Sequence, residues 1–181
     1  MILKFAWTFI CLAIVGVLGH EESDELVDDD AEIALGRSQC PHLYKQGGAV
    51  CNLFPESVEG PFYRSNQRVR RDVREGKPGI QVTISVTLAE VSSCQPIQNV
   101  AVDIWSADAA GEYSAFVGVR PGDPPVPRDN GTFLRGVQRS NEQGKLSFVT
   151  IFPGWYEGRT IHYHMGIHLR DKKHTVQLYV D

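Results

Sequence analysis

Residues 158–168, GRTIHYHMGIH, hold three of the chain's six histidines, His162, His164 and His168. Imidazole is the commonest protein ligand for transition metals, and its pKa near neutrality also suits proton transfer. His162 and His164 stand two apart, so on a strand they share a face, about 7 Å apart along the chain at roughly 3.3 Å per residue. Two imidazoles at that spacing can close on one ion. His168 lies about 13 Å beyond His164 by the same rise and reaches that ion only if the strand bends at Gly166. The same histidines on the wet face of a strand would need no metal, so His-x-His leaves both readings open. Just upstream, FPGWYEGR (152–159) ends an apolar run at a Pro-Gly turn and presents Tyr156 and Arg159. Taken singly, these are a packed aromatic and a surface cation. With Arg159 three residues before His162, however, a permanent cation stands beside the histidine pair. That does not help to hold a metal, but it suits a bound anion.

Strands must position these groups. IQVTISVTL (80–88) alternates Ile80, Val82, Ile84, Val86 and Leu88 with polar residues, the period of a half-buried strand. VAVDIWSA (100–107), KLSFVTIF (145–152), TIHYHMGIHL (160–169) and TVQLYVD (175–181) carry weaker versions. Turn-forming breaks such as RPGDPPVPRDNG and NEQG separate them. Only DDDAEIALG (28–36) reads as a helix, with Asp before it and Gly36 after it. Many short strands between turns predict an all-β chain, a β-sandwich with a short, partly helical N-terminal segment.

The N-terminal residues bear on compartment. Residues 1–19 place Lys4 ahead of an apolar run from Phe5 to Leu18 and end at a Val-x-Gly site, the layout of a secretory signal peptide. The run falls short of the roughly 20 residues that span a bilayer. The chain is therefore expected to be secreted and extracellular, without a membrane once the signal is removed; a retained anchor is the alternative. Residues 20–36 form an acidic leader, and 37–181 have the size of one ordinary domain. Cys40, Cys51 and Cys94 remain after the signal, an odd number for an oxidising compartment, and the sequence does not choose a pair. NGT at 130–132 matches the glycosylation acceptor pattern. The net charge is -4, with 42% hydrophobic residues, as in ordinary globular chains. The basic stretch RSNQRVRRDVREGK (64–77) is interrupted by Asp72 and Glu75 and holds no stacking aromatic, so it reads as a polar connection and not as a nucleic-acid groove.

Five segments, in the family's order along the chain, resemble one family, the intradiol ring-cleavage dioxygenases of the catechol and protocatechuate type. PGWYEGRTIHYH resembles their Pro-Gly-x-Tyr…Arg-x-x-His-x-His segment. VAVDIWSADAAGEYS is similar to the strand and turn bearing their first tyrosine, here Tyr113, and CNLFPESVEGPFY to the opening of their domain. TFLRGVQRSNEQGKLSFVTIFPG resembles the central strands, and VQLYVD the strand with a family glutamine, here Gln177. The resemblance implies that Tyr113, Tyr156, His162 and His164 ligate Fe(III), while Arg159 and Gln177 serve catalysis with Tyr156. It implies a small catecholic substrate and O2 as partners, and cis,cis-muconate-type products from cleavage between the two hydroxyl-bearing carbons. Two phenolates suit a hard ferric ion and largely offset its charge. Family members that pair through a long helical N-terminal region have more chain there than the stretch from His20 to Val50, so a monomer or weak homo-oligomer is expected. The chain stops at Asp181, where family members continue, so the domain is expected to be cut short at its C-terminus. Two rival readings are a non-catalytic β-sandwich that binds phenolics or metal, and a copper or zinc hydrolase using all three histidines. The reach from His164 to His168 counts against the second.

Overall fold

The computed structural model describes residues 10–14, 51–52, 57–65, 67–90, 95–119, 123–169 and 172–179. The strands among them are β1 (Ile10–Ile14), β2 (Cys51–Asn52), β3 (Gln81–Glu90), β4 (Ala101–Trp105), β5 (Arg135–Arg139), β6 (Lys145–Ile151), β7 (His162–Leu169) and β8 (Lys172–Tyr179). They form two four-stranded sheets, ordered β2-β1-β3-β6 and β5-β4-β7-β8. No helix occurs among the described residues. The helix expected at 28–36 and the Cys40 and Cys94 side chains fall outside them, and only the backbone of Cys51 is described.

Period-two patterning explains the sandwich. On β3 the side chains of Val82, Ile84, Val86 and Leu88 turn inward, and β6 brings Phe148 opposite Ile84 and Leu146 opposite Val86. The second sheet meets them with Val102 and Ile104 of β4, Tyr163, Met165 and Ile167 of β7, and Val176 and Leu178 of β8. This one continuous apolar layer holds the two sheets together. Because β7 commits its odd-numbered residues to the core, its histidines must face outward, away from the other sheet.

Three features differ from the local patterns. β5, RGVQR, carries no apolar alternation; its place comes from antiparallel pairing with β4, from Ala101 opposite Arg139 to Trp105 opposite Arg135. β1 lies inside the stretch read as a signal peptide and pairs in parallel with both β2 and β3. A short apolar run satisfies strand and helix alike, so its periodicity gives no warning of this. The basic connection is also more than a connection. Arg70 N–H donates to Val137 O at 3.0 Å, Val73 N–H to Val149 O at 3.0 Å, and the wholly buried Val73 closes the gap between β5 and β6. Its charges stay at the surface, where Arg74 pairs with Asp72 at 2.6 Å and Arg70 with Glu75.

Candidate functional site

Strand register assembles the first part of the site on the outer face of the second sheet. Trp105 of β4 lies opposite His164 of β7, and His164 lies opposite Gln177 of β8, so the three form a row across three strands. The Trp105 indole stacks flat on the His164 ring, with centroids 4.8 Å apart and planes 6° from parallel. The loop at 57–65 covers the other side. Gly60 has φ 75°, and a Cβ there would sit 3.3 Å from His164 Cε1. His162 is oriented differently: its Nδ1 lies 2.6 Å from the Thr160 carbonyl and donates to it. That bond leaves Nε2 as the basic nitrogen. The two Nε2 atoms are 2.9 Å apart, and Tyr156 Oη is 3.4 Å from His162 Nε2.

Two turns pressed together deliver the tyrosines. Asp108 Oδ1 accepts the N–H groups of Ala110 at 2.9 Å and Glu112 at 3.1 Å, an Asx-type turn, while Lys77 holds Oδ2 at 2.6 Å. The Asp108 carbonyl accepts Gly154 N–H at 2.7 Å from the facing Pro-Gly turn. A Cβ on Gly111 would meet Trp155 O at 2.2 Å, and one on Gly154 would meet Ala109 O at 2.4 Å, so only glycine permits this approach. It brings the Tyr113 and Tyr156 rings to 5.7 Å, nearly perpendicular. Phe62 stacks on Tyr113 at 4.6 Å and meets the edge of Tyr156 at 6.3 Å, walling the tyrosine side.

Burial sets the charge state of this group. It lowers the pKa of His162, and it draws His164 down to about 3, helped by His162 and the Arg159 and Arg135 charges. It raises the Tyr113 phenol far above its ordinary value, with the neighbouring Tyr156 adding to the effect. Tyr113 Oη lies beside the Tyr156 phenol yet meets no partner at hydrogen-bonding geometry among the described residues. Two neutral imidazoles whose Nε2 atoms meet at 2.9 Å, His164 donating to His162, and a deeply buried phenol beside that of Tyr156 fit a cation that would take the place of the shared proton and turn the phenols into phenolates. Among the described residues no three of His, Cys, Asp and Glu gather, and the rings beside the two imidazoles are those of Tyr113, Tyr156 and Trp105.

Arg159 and Gln177, distant in sequence, meet in this site. Arg159 Nη2 donates to Gln177 Oε1 at 2.6 Å, and Gln177 Nε2 donates to the Val58 carbonyl at 2.9 Å. His168 points out on the same face but belongs to another cluster. Its Nε2 lies 3.0 Å from Asp103 Oδ2, which also accepts the Tyr63 hydroxyl at 2.9 Å. Sequence reading did not single out Trp105, Phe62 or Arg135. For Trp105 a signal existed: in VAVDIW the core takes Val102 and Ile104, which leaves a large indole on the other face in need of cover.

Comparison with known proteins adds to this geometry. A family model described as Dioxygenase matches residues 58–173. An intradiol ring-cleavage dioxygenase from Tetranychus urticae is 37% identical, with a TM-score of 0.66 over 72% of this chain and 66% of that one. The dioxygenase domain of a dioxygenase–carbohydrate-binding protein fusion from Streptomyces sp. SirexAA-E is 30% identical, with a TM-score of 0.57 over 70% and 73%. A 3-chlorocatechol 1,2-dioxygenase from Rhodococcus opacus 1CP is 24% identical at a TM-score of 0.57, covering 69% of this chain and 55% of that one, a likeness of fold. The chain thus spans 66% of the length of the Tetranychus urticae protein. Among curated proteins, none matches.

Proposed function

The chain belongs to the intradiol ring-cleavage dioxygenases, and from that membership we propose that it opens catecholic rings between the two hydroxyl-bearing carbons with O2, using Fe(III) held by Tyr113, Tyr156, His162 and His164. One observation carries the reading: two imidazole Nε2 atoms 2.9 Å apart, with one phenol 3.4 Å from the Nε2 of His162 and a second deeply buried beside that phenol. A ferric ion held by these four residues would supply Lewis acidity that draws electron density from a catecholic ring.

The chain's own groups do the rest. The His162 tautomer is set by the Thr160 carbonyl, and the His164 ring is set by Trp105, so both nitrogens are aimed before a ligand arrives. Tyr156 is half-buried, whereas Tyr113 is 3% exposed. Tyr156 is therefore the phenol that a substrate meets, and its oxygen is the base that takes a catechol proton. Arg159 is held by an amide, not by a carboxylate that would cancel its charge. It faces negative charge as this builds on the ring carbon that O2 attacks, and Gln177, anchored on Val58 O, holds it there. Phe62 and Tyr113 shield that charge from water. Both oxygen atoms end in the carboxyl groups of a cis,cis-muconate-type product.

The setting belongs to the same proposal. Residues 1–19 act as the signal of a secreted protein, so that β1 leaves the first sheet when the signal is removed, 20–36 act as its leader, and 37–181 as one catalytic β-sandwich. The enzyme is a monomer or weak homo-oligomer that acts on catechols or plant-type polyphenols. The apolar run behind Lys4 and the family membership support this reading. Oxygen uptake by the iron-loaded protein against a panel of catechols tests it. Uptake equimolar with substrate is expected; binding of catechols without uptake would leave a phenolic-binding sandwich in its place.

A further inference from the structure

Arg135 opens β5 and is 1% exposed, among the largest wholly buried side chains. An arginine this deep is ordinarily paired with a carboxylate, because an uncompensated charge in a low-dielectric interior is costly. No ion pair among the described residues includes it. Its Nε donates to Ser114 Oγ at 2.6 Å and its Nη2 to Ser114 O at 3.0 Å, while Nη1 is buried and meets no acceptor among the described residues. The guanidinium carbon lies 6.0 Å from the Tyr113 ring centroid and 5.7 Å from that of Phe116. The titratable neighbours that bear on it are Arg64, another cation, and the Tyr113 phenol. Burial draws the guanidinium down to about 10, which leaves it charged at neutral pH.

A buried cation without an anion among the described residues thus stands one residue away from a buried phenol whose neighbour is the phenol of Tyr156. The phenol becomes an anion when the site takes up a ferric ion. We infer that Arg135 is a positioning residue of the metal centre, whose guanidinium balances the Tyr113 phenolate charge while its fork holds the Ser114 backbone beside it. The inference rests on the iron reading above. With the guanidinium carbon 6.0 Å from the centre of the ring over which the phenolate charge spreads, and an effective dielectric near 20, such a pair changes iron(III) affinity by roughly 10- to 100-fold. The cation also lowers the energy of the phenolate donor electrons, so it sets the wavelength of phenolate-to-iron charge transfer.

The test compares visible spectra and iron(III) affinity, by competition with a chelator, across full-length variants. Arg135→Met and Arg135→Gln are neutral, the second retaining an amide donor for Ser114. Both should shift the charge-transfer band to longer wavelength and weaken iron binding by about 10- to 100-fold, whereas Arg135→Lys should restore most of both. Ser114→Ala tests a purely structural role. It removes the Nε bond and leaves the charge, so its band should stay at the wild-type position even if the neutral variants fail to fold. A Ser114→Ala band displaced to longer wavelength, or neutral variants with the wild-type band and affinity, would overturn the assignment. A wild-type protein that binds iron without any such band would instead sink the tyrosine–iron reading itself, and this inference with it.

Discussion

Lowering the pH of the metal-free protein from about 7 to about 5 should cost about 2 kcal/mol of stability through His164 alone. In the folded chain burial, the facing His162 and the charges of Arg159 and Arg135 draw His164 from 6.5 to about 3. In the unfolded chain it returns to about 6.5. The folded state therefore binds fewer protons than the unfolded one. Its contribution is complete above about 6.5 and is lost as pH falls toward 3, at about 1.4 kcal/mol per pH unit. His162, also lowered by burial, acts in the same direction. Asp72 and Glu75, whose carboxyls are lowered as well, join only at more acid pH, near the ordinary carboxylate range. The assay is urea unfolding with a chelator present at several pH values, set beside His164→Gln, which removes the group from both states. The wild type should lose about 2 kcal/mol more than the variant across that interval. Parallel pH profiles would show that His164 is solvated or charged in the folded site, and would refute a neutral, buried imidazole pair.

Three more outcomes follow from the same geometry. Gly154→Ala should cost about 1–3 kcal/mol and lower iron uptake, since its Cβ would meet Ala109 O at 2.4 Å and push apart the turns that carry Tyr113 and Tyr156; calorimetry and metal analysis read both effects. His162→Ala and His164→Ala should lose most of the iron while His168→Ala keeps it, because His168 is held by Asp103; iron content after desalting decides this. Arg159→Ala should keep iron and colour but turn over about 100- to 1,000-fold more slowly, and near-normal steady-state turnover would remove Arg159 from the chemistry.

Much of this was legible in the residues, and the reasons are physical. Alternation in 80–88 gave β3, and strand parity put His162, His164 and His168 on one face. The rise per residue separated His168 from the pair, and the structure gives it Asp103 instead. The β-sandwich was also readable, since 80–88 carried a clear period of two and four further segments carried weaker ones between turns. What remained hidden depends on partners far along the chain. The row Trp105–His164–Gln177 is set by register between three strands, which no local pattern encodes. The approach of Tyr113 to Tyr156 depends on Gly111 and Gly154 meeting backbone from the opposite turn. Arg135 in TFLRG resembled any strand-end cation until β5 was seen to bury it against Ser114. β5 itself has no apolar alternation, and only its resemblance to the family's central strands marked it.

The central claim is where the ring breaks, and the product from catechol under labelled O2 reads it directly. Two phenolates and two imidazoles favour ferric iron and an activated substrate, whereas cleavage beside the hydroxyls belongs to ferrous iron on two histidines and a carboxylate. The iron(III)-loaded protein should therefore yield colourless, ultraviolet-absorbing cis,cis-muconate without added reductant, with label in both carboxyl groups by mass. A yellow semialdehyde, or activity that needs ferrous iron and a reductant, would contradict the ligand set and the reaction together.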